Sequence, residues 1–155
     1  MKNKYMSFCL FLMVVVLMAC NRKKTPDSCQ GAICTAEFRM HTVYLKDSTG
    51  ADFIPDKVET YNDNAQLILF QTTAAVPGMN VYTVVDDSNL DDLGVNITND
   101  LTFKIIKNNV VVKEAIYQAK ADCCHISQVS GADTLVVNWY RIIISQKLEN
   151  NIDMP

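Results

Sequence analysis

Residues 101–112 read Leu101-Thr102-Phe103-Lys104-Ile105-Ile106-Lys107-Asn108-Asn109-Val110-Val111-Val112. Leu101, Phe103 and Ile105 recur every second residue, which puts them on one face of an extended chain, and β-branched residues dominate the rest. Two asparagines then separate this run from three valines. Asparagine tolerates positive φ, as a two-residue hairpin turn requires, so the stretch reads as two antiparallel strands joined at Asn108-Asn109.

The same grammar extends in both directions. Toward the N-terminus, Val81 to Val85 is a β-rich run behind a Pro77-Gly78 turn, and Leu67-Ile68-Leu69-Phe70 is an apolar run followed by Thr72 and Thr73. Residues 57–61 form a weaker candidate. From Thr35 onward Phe38, Met40, Thr42 and Tyr44 alternate with Glu37, Arg39 and His41, the pattern of a half-buried strand with its apolar side inward. Asp47-Ser48-Thr49-Gly50 and Ser130-Gly131-Ala132-Asp133 read as turns, and residues 86–96 as an acidic loop. Residues 113–121 hold good helix formers, yet Ala115, Tyr117, Ala119 and Ala121 also alternate, and β neighbours on both sides favour strand. Residues 135–144 are apolar on both faces around Trp139, the signature of a central strand. Short strands punctuated by turns, without internal repeats, predict an all-β antiparallel β-sandwich of seven to eight strands.

The cysteines add a framework. The chain has six, of which Cys9 and Cys20 lie in or at the end of an apolar N-terminal segment. Cys29, Cys34, Cys123 and Cys124 remain, an even number that suggests two disulfides in an oxidising compartment. Adjacent residues on an extended chain point to opposite sides, which disfavours a Cys123–Cys124 bond. The expected pairing is therefore between the first two and the last two. A link closing about 90 residues is worth about 4–5 kcal/mol by chain entropy.

Export is written in residues 8–20, thirteen consecutive apolar residues or cysteines behind Lys2 and Lys4. As a helix these rise only about 20 Å, short of the roughly 30 Å hydrocarbon core. The ending Leu17-Met18-Ala19-Cys20 resembles a bacterial lipoprotein signal, in which the cysteine is acylated and becomes the new N-terminus. The expected organisation is a signal peptide over 1–19, then lipidated Cys20 with a tether and Cys-containing segment over 20–34. A sandwich domain over 35–148 and a polar tail over 149–155 complete it. Loss of 1–19 removes two lysines and no acid. The 14 basic residues fall to 12 against 17 acidic, and the balance moves from −3 to −5. A mildly acidic domain offers no footprint for nucleic acid.

Chemical motifs are sparse. Asp122-Cys123-Cys124-His125, with Cys29 and Cys34, has the residue types of a zinc site but not the thiol spacing, and oxidation consumes the thiolates. No metal and no cofactor is expected. His41 and His125 are the two histidines, and neither stands in a nucleophile motif; an enzyme would need one of them beside a carboxylate or hydroxyl. Asp86-Asp87 and Asp91-Asp92 lack calcium-loop spacing and read as solvated charges. Trp139 and Tyr140 form a sugar-stacking platform only if exposed; Trp139 reads as core. Asn96-Ile97-Thr98 fits an N-glycosylation sequon. Asp47-Ser48-Thr49 and Asp133-Thr134-Leu135 look like the short O-glycosylation motif of Bacteroidetes-type periplasmic proteins.

With Cys20, Cys29, Cys34 and Asp122-Cys123-Cys124-His125 in place, the layout resembles small lipoproteins of Bacteroidetes. That resemblance implies an immunoglobulin-like or transthyretin-like sandwich and brings no activity with it. It also implies an address. Surface-export tags in such proteins are acidic just after the cysteine, whereas Asn21-Arg22-Lys23-Lys24 is basic, so an outer-membrane anchor facing the periplasm is expected. The expected role is a non-catalytic binding or structural module of the cell envelope with a protein partner or a glycan.

Overall fold

The computed structural model describes residues 29–138. The chain divides into a unit Met1–Gly31 and a unit Ala32–Pro155. Of the first, the described part is a tight turn at residues 29–31, with Gly31 at φ +83°. Signal, Cys20, tether, Trp139, Tyr140, the second half of the 135–144 run and the tail lie outside the described residues.

The second unit is all-β, a two-sheet sandwich. Its strands are β1 (Met40–Asp47), β2 (Lys57–Tyr61), β3 (Leu67–Gln71), β4 (Val81–Asp86), β5 (Thr98–Lys107), β6 (Val110–Ala121), β7 (Ile126–Ser130) and β8 (Thr134–Val137), with a 3-10 turn at Asp87–Asn89. A short sheet runs β4-β1-β8 and a larger one β3-β2-β5-β6-β7. Immunoglobulin sheets set the first strand beside the second. Here β1 and β2 belong to different sheets.

The hairpin that decides the fold is its backbone. Asn108 and Asn109 take φ of +51° and +61°, so both central residues are left-handed, as the turn requires. β5 and β6 then pair along almost their whole length, from Lys107↔Val110 to Thr98↔Lys120. Residues 113–121 are strand because β5 and β7 flank β6 on both sides, and tertiary pairing overrides their helix propensity. Leu101, Phe103 and Ile105 face inward beside Val58, Tyr117, Ala119 and Ala121. The short sheet answers with Val43, Leu45, Val84, Leu135 and Val137 in the same core. Burial of each large side chain contributes about 1.5–3 kcal/mol. Phe103 meets Tyr117 edge-on, centroids 6.0 Å apart.

Three expectations are corrected. The inward face of β1 is Val43 and Leu45, while Met40 and Tyr44 are exposed; the Phe38-to-Tyr44 alternation is real, but it faces outward. Its strand begins at Met40, and the residue before it, Arg39, donates its N–H to the Asp87 side chain instead of to a strand. β8 is not central: it ends the short sheet among the described residues and runs parallel to β1, from Tyr44↔Thr134 to Asp47↔Val137. Every other pair of the described strands is antiparallel. β7 carried no strong sequence signal, since Ile126 is its sole fully buried residue.

The outer edge of β4 is closed by specific bonds rather than by another strand. Thr60 Oγ1 donates to Val84 O at 2.7 Å, Thr83 N donates to Gln71 Oε1 at 2.9 Å, and Ala75 N donates to Val81 O at 2.7 Å. An edge satisfied in this way offers no template for a further strand.

Candidate functional site

The densest chemistry gathers where the segment before β1, the 3-10 turn after β4 and the turn before β7 meet. The last of these is Asp122-Cys123-Cys124-His125. Asp122 Oδ1 accepts from Cys124 N and His125 N, both at 2.7 Å, and Asp122 N donates to His125 O at 2.9 Å. An aspartate bonded to backbone two and three residues on makes a tight, side-chain-capped turn. These bonds hold the Asp122 carboxyl below the usual range. The turn thus presents Cys124 and His125 in a set orientation.

Two links, one covalent and one hydrogen-bonded, tie this turn to the segment before β1. Cys34 and Cys124 form a disulfide with Cα atoms 5.2 Å apart, across 90 residues. Cys29 and Cys123 each stand in a disulfide as well. One residue on, Thr35 Oγ1 lies 2.9 Å from His125 Nε2. The covalent and the hydrogen-bonded link are thus adjacent in sequence on both strands of chain.

The other ring nitrogen, His125 Nδ1, is 2.8 Å from Asp87 Oδ2, with both side chains 9% exposed. Asp87 also accepts from Arg39 N (Oδ2) and Ile126 N (Oδ1), each at 2.8 Å. Burial pushes this carboxyl up, but the donors from His125, Arg39 and Ile126 outweigh it and hold it below its ordinary value. An ionised carboxylate only accepts, so Nδ1 carries a proton and donates to Asp87, while Nε2 and the Thr35 hydroxyl share the second bond. Hydroxyl, imidazole and carboxylate stand in the order that activates a nucleophile in hydrolases.

His41 lies close by. Burial pulls its imidazole below the ordinary range, against the opposing effects of a Gln128 hydrogen bond and the Asp87 charge. Its Nε2 is buried without a partner. A shallow groove of about 530 Å³ runs past it, walled by residues 37–41 and 126–128. The fold thus brings both histidines to Asp87.

Several sequence assignments change in consequence. Asp87 is not a solvated loop charge: it is the hub of the cluster. Asp86 caps the 3-10 turn, accepting from Ser88 N at 2.9 Å while its own N–H donates to Asn89 Oδ1. His125 precedes β7 rather than lying within a strand. The sulfurs of Cys34 and Cys124 are joined to each other and hold no thiolate. Asp87 and Thr35 were invisible as site residues because their partners stand 38 and 90 positions away. The Asp-Ser-Thr, Asn-Ile-Thr and Asp-Thr motifs lie at exposed positions of the chain. The Trp139 and Tyr140 platform lies outside the described residues.

A second feature is a face. Met40, Tyr44 and Val136 are 46%, 45% and 48% exposed on the outer side of the short sheet, and Phe38, in the same alternation, is 58% exposed. The outer side of the larger sheet mixes exposed Phe70 and Ile116 with ion pairs. Lys57 bridges Glu59 at 2.8 Å, Lys104 bridges Glu114 at 3.3 Å, and Lys104 covers the Tyr61 ring at 4.9 Å.

No family model, no curated protein and no solved structure matches this chain. The class defined by fold and site is a disulfide-linked, two-sheet β module.

Proposed function

We propose that the protein is a lipoprotein of the bacterial cell envelope, anchored through Cys20 to the outer membrane on its periplasmic side, and that its domain is a non-catalytic binding module for an envelope protein. The observation that carries this reading is the row Phe38, Met40, Tyr44 and Val136 on one sheet face. Apolar side chains gathered on one face of a small domain mark an interaction surface. On this reading the disulfide and the Thr35–His125–Asp87 chain are a fastener. Each of the three residues belongs to a different segment, and together they keep the anchored end of the chain on the domain under load. A photo-crosslinker at Tyr44, used in intact cells, tests it. The expected result is one reproducible adduct, lost in Val136→Glu without loss of folding; adducts no different from those of a crosslinker at exposed Asp63 would end the proposal. Intact mass of the native protein tests the anchor, through removal of residues 1–19 and acylation of Cys20.

A second reading, hydrolysis, is favoured by the geometry of the relay alone. Thr35 Oγ would attack an acyl carbon as its proton passes to His125 Nε2; the imidazolium would return it to the leaving group, and water would release the acyl product by the same route. A fluorophosphonate probe separates the two. Covalent labelling of Thr35, retained in Thr35→Ser and lost in His125→Gln, supports hydrolysis, and its absence from the folded protein supports the fastener.

A further inference from the structure

At one end of the sandwich the 72–80 connection and the 52–54 segment leave a cleft of about 410 Å³. Its volume is that of a small-molecule site. Tyr82 lines it from within. The ring belongs to the core, paired across the sheet with Val43, and the residue is only 3% exposed. The phenol has no hydrogen-bond partner among the described residues, yet its oxygen is not sealed from solvent. Burial alone raises its pKa, with no bonded group contributing. Buried phenols normally find a partner. This one opens on the cleft instead.

The rest of the lining limits what fits. Ile54 and Met79 are 67% and 54% exposed and form an apolar rim. Thr72, Thr73 and Asn80 add neutral polar groups, and Asn80 is fixed by donating its amide to Leu45 O. Asp52 is the one charged side chain of the lining, and Lys46 neutralises it from beside the cleft. Nothing here favours an anion or a cation.

The geometry points to a binding site for a small, uncharged, mainly apolar molecule carrying one hydrogen-bond acceptor, which takes the Tyr82 hydroxyl as its donor. The site is independent of the sheet face and the relay. Its probe is acetophenone, with ethylbenzene as the equally shaped partner lacking the acceptor, each titrated into the full-length chain and followed by amide chemical shifts. Acetophenone is expected to shift the amides of residues 52–54 and 72–82 saturably. Tyr82→Phe should weaken acetophenone about 2- to 10-fold, the value of one neutral hydrogen bond, and leave ethylbenzene unchanged. Met79→Glu, a rim change that leaves the core intact, should weaken both. The proposal is overturned by shifts that do not saturate or map elsewhere. It is equally overturned if Tyr82→Phe binds both probes as the native chain does, or if Met79→Glu alters neither.

Discussion

His125 Nδ1 and Asp87 Oδ2 stand 2.8 Å apart across 38 residues of chain, and the two side chains are equally withdrawn from solvent. This contact orders the turn before β7 against the turn after β4. It also decides what the chain before β1 can hold onto, because Arg39 bonds to the same carboxylate and Thr35 to the same ring.

Loss of that carboxylate is the most damaging single change near the site. Asp87→Ala leaves the donors of His125, Arg39 and Ile126 without an acceptor, and about 2–4 kcal/mol of stability should go with it. Acid should act on the same group. Its folded pKa is depressed, so the stability it contributes is present above the unfolded value near 3.8 and lost as pH falls through the lower folded one. Asp122 is shifted in the same direction and adds to the slope. Urea unfolding between pH 2 and 6 should show a steep loss in the native protein and a shallower one in Asp87→Asn.

His41 works over a higher range. Its folded pKa lies below the ordinary 6.5, so the neutral ring is favoured in the fold; that stability is complete above the unfolded value and declines as pH falls toward the folded one. His41→Gln should remove the decline just below pH 6.5 without touching that near pH 4. Histidine proton shifts against pH would check the assignment directly.

The Cys34–Cys124 bond closes a loop of 90 residues. Replacing both by alanine, in a background where Cys29 and Cys123 are already alanine, should lower stability by about 4–5 kcal/mol in the chain-entropy estimate. The adjacent Thr35–His125 bond should loosen with it. Thr35→Val in the oxidised protein isolates that hydrogen bond, at about 1 kcal/mol. Equal stability before and after mild reduction would contradict the assigned role of the link.

Gly131 takes φ +142°, and a Cβ built there would lie 2.1 Å from Cδ1 of Tyr117. That ring cannot retreat, since its hydroxyl donates to Ala132 O at 2.7 Å and its edge meets Phe103. Gly131→Ala should therefore cost about 2–4 kcal/mol. The Tyr117 phenol reports on the same packing, being pushed up to about 12 by burial and by Asp133. Stability from this group is present below the unfolded value near 10 and lost as pH rises toward 12. Ultraviolet titration should find the last tyrosine to ionise, near pH 12, in the native protein and not in the variant.

The hairpin turn gives a change of either sign. Asn109 sits at φ +61°. Asn109→Gly should stabilise by a few tenths to about 1 kcal/mol, and Asn109→Val should destabilise by about 1–2 kcal/mol. Thermal unfolding of the pair distinguishes them.

Strand content, the Asn108-Asn109 turn and the oxidised cysteines follow from local pattern, because period-two alternation, positive-φ asparagines and an even thiol count are properties of neighbouring residues. Pattern could not say which side of β1 faces inward. Phe38, Met40 and Tyr44 alternate as cleanly as Val43 and Leu45, and the choice was made by packing into the core shared with the larger sheet. Nor could it show that β8 lies parallel to β1, since β8 pairs with a strand some 90 residues earlier. The His125–Asp87–Thr35 cluster belongs wholly to tertiary structure. None of its members carries a local signature, and each acquires its role only when sheet pairing and a distant disulfide bring three separate segments within hydrogen-bond reach.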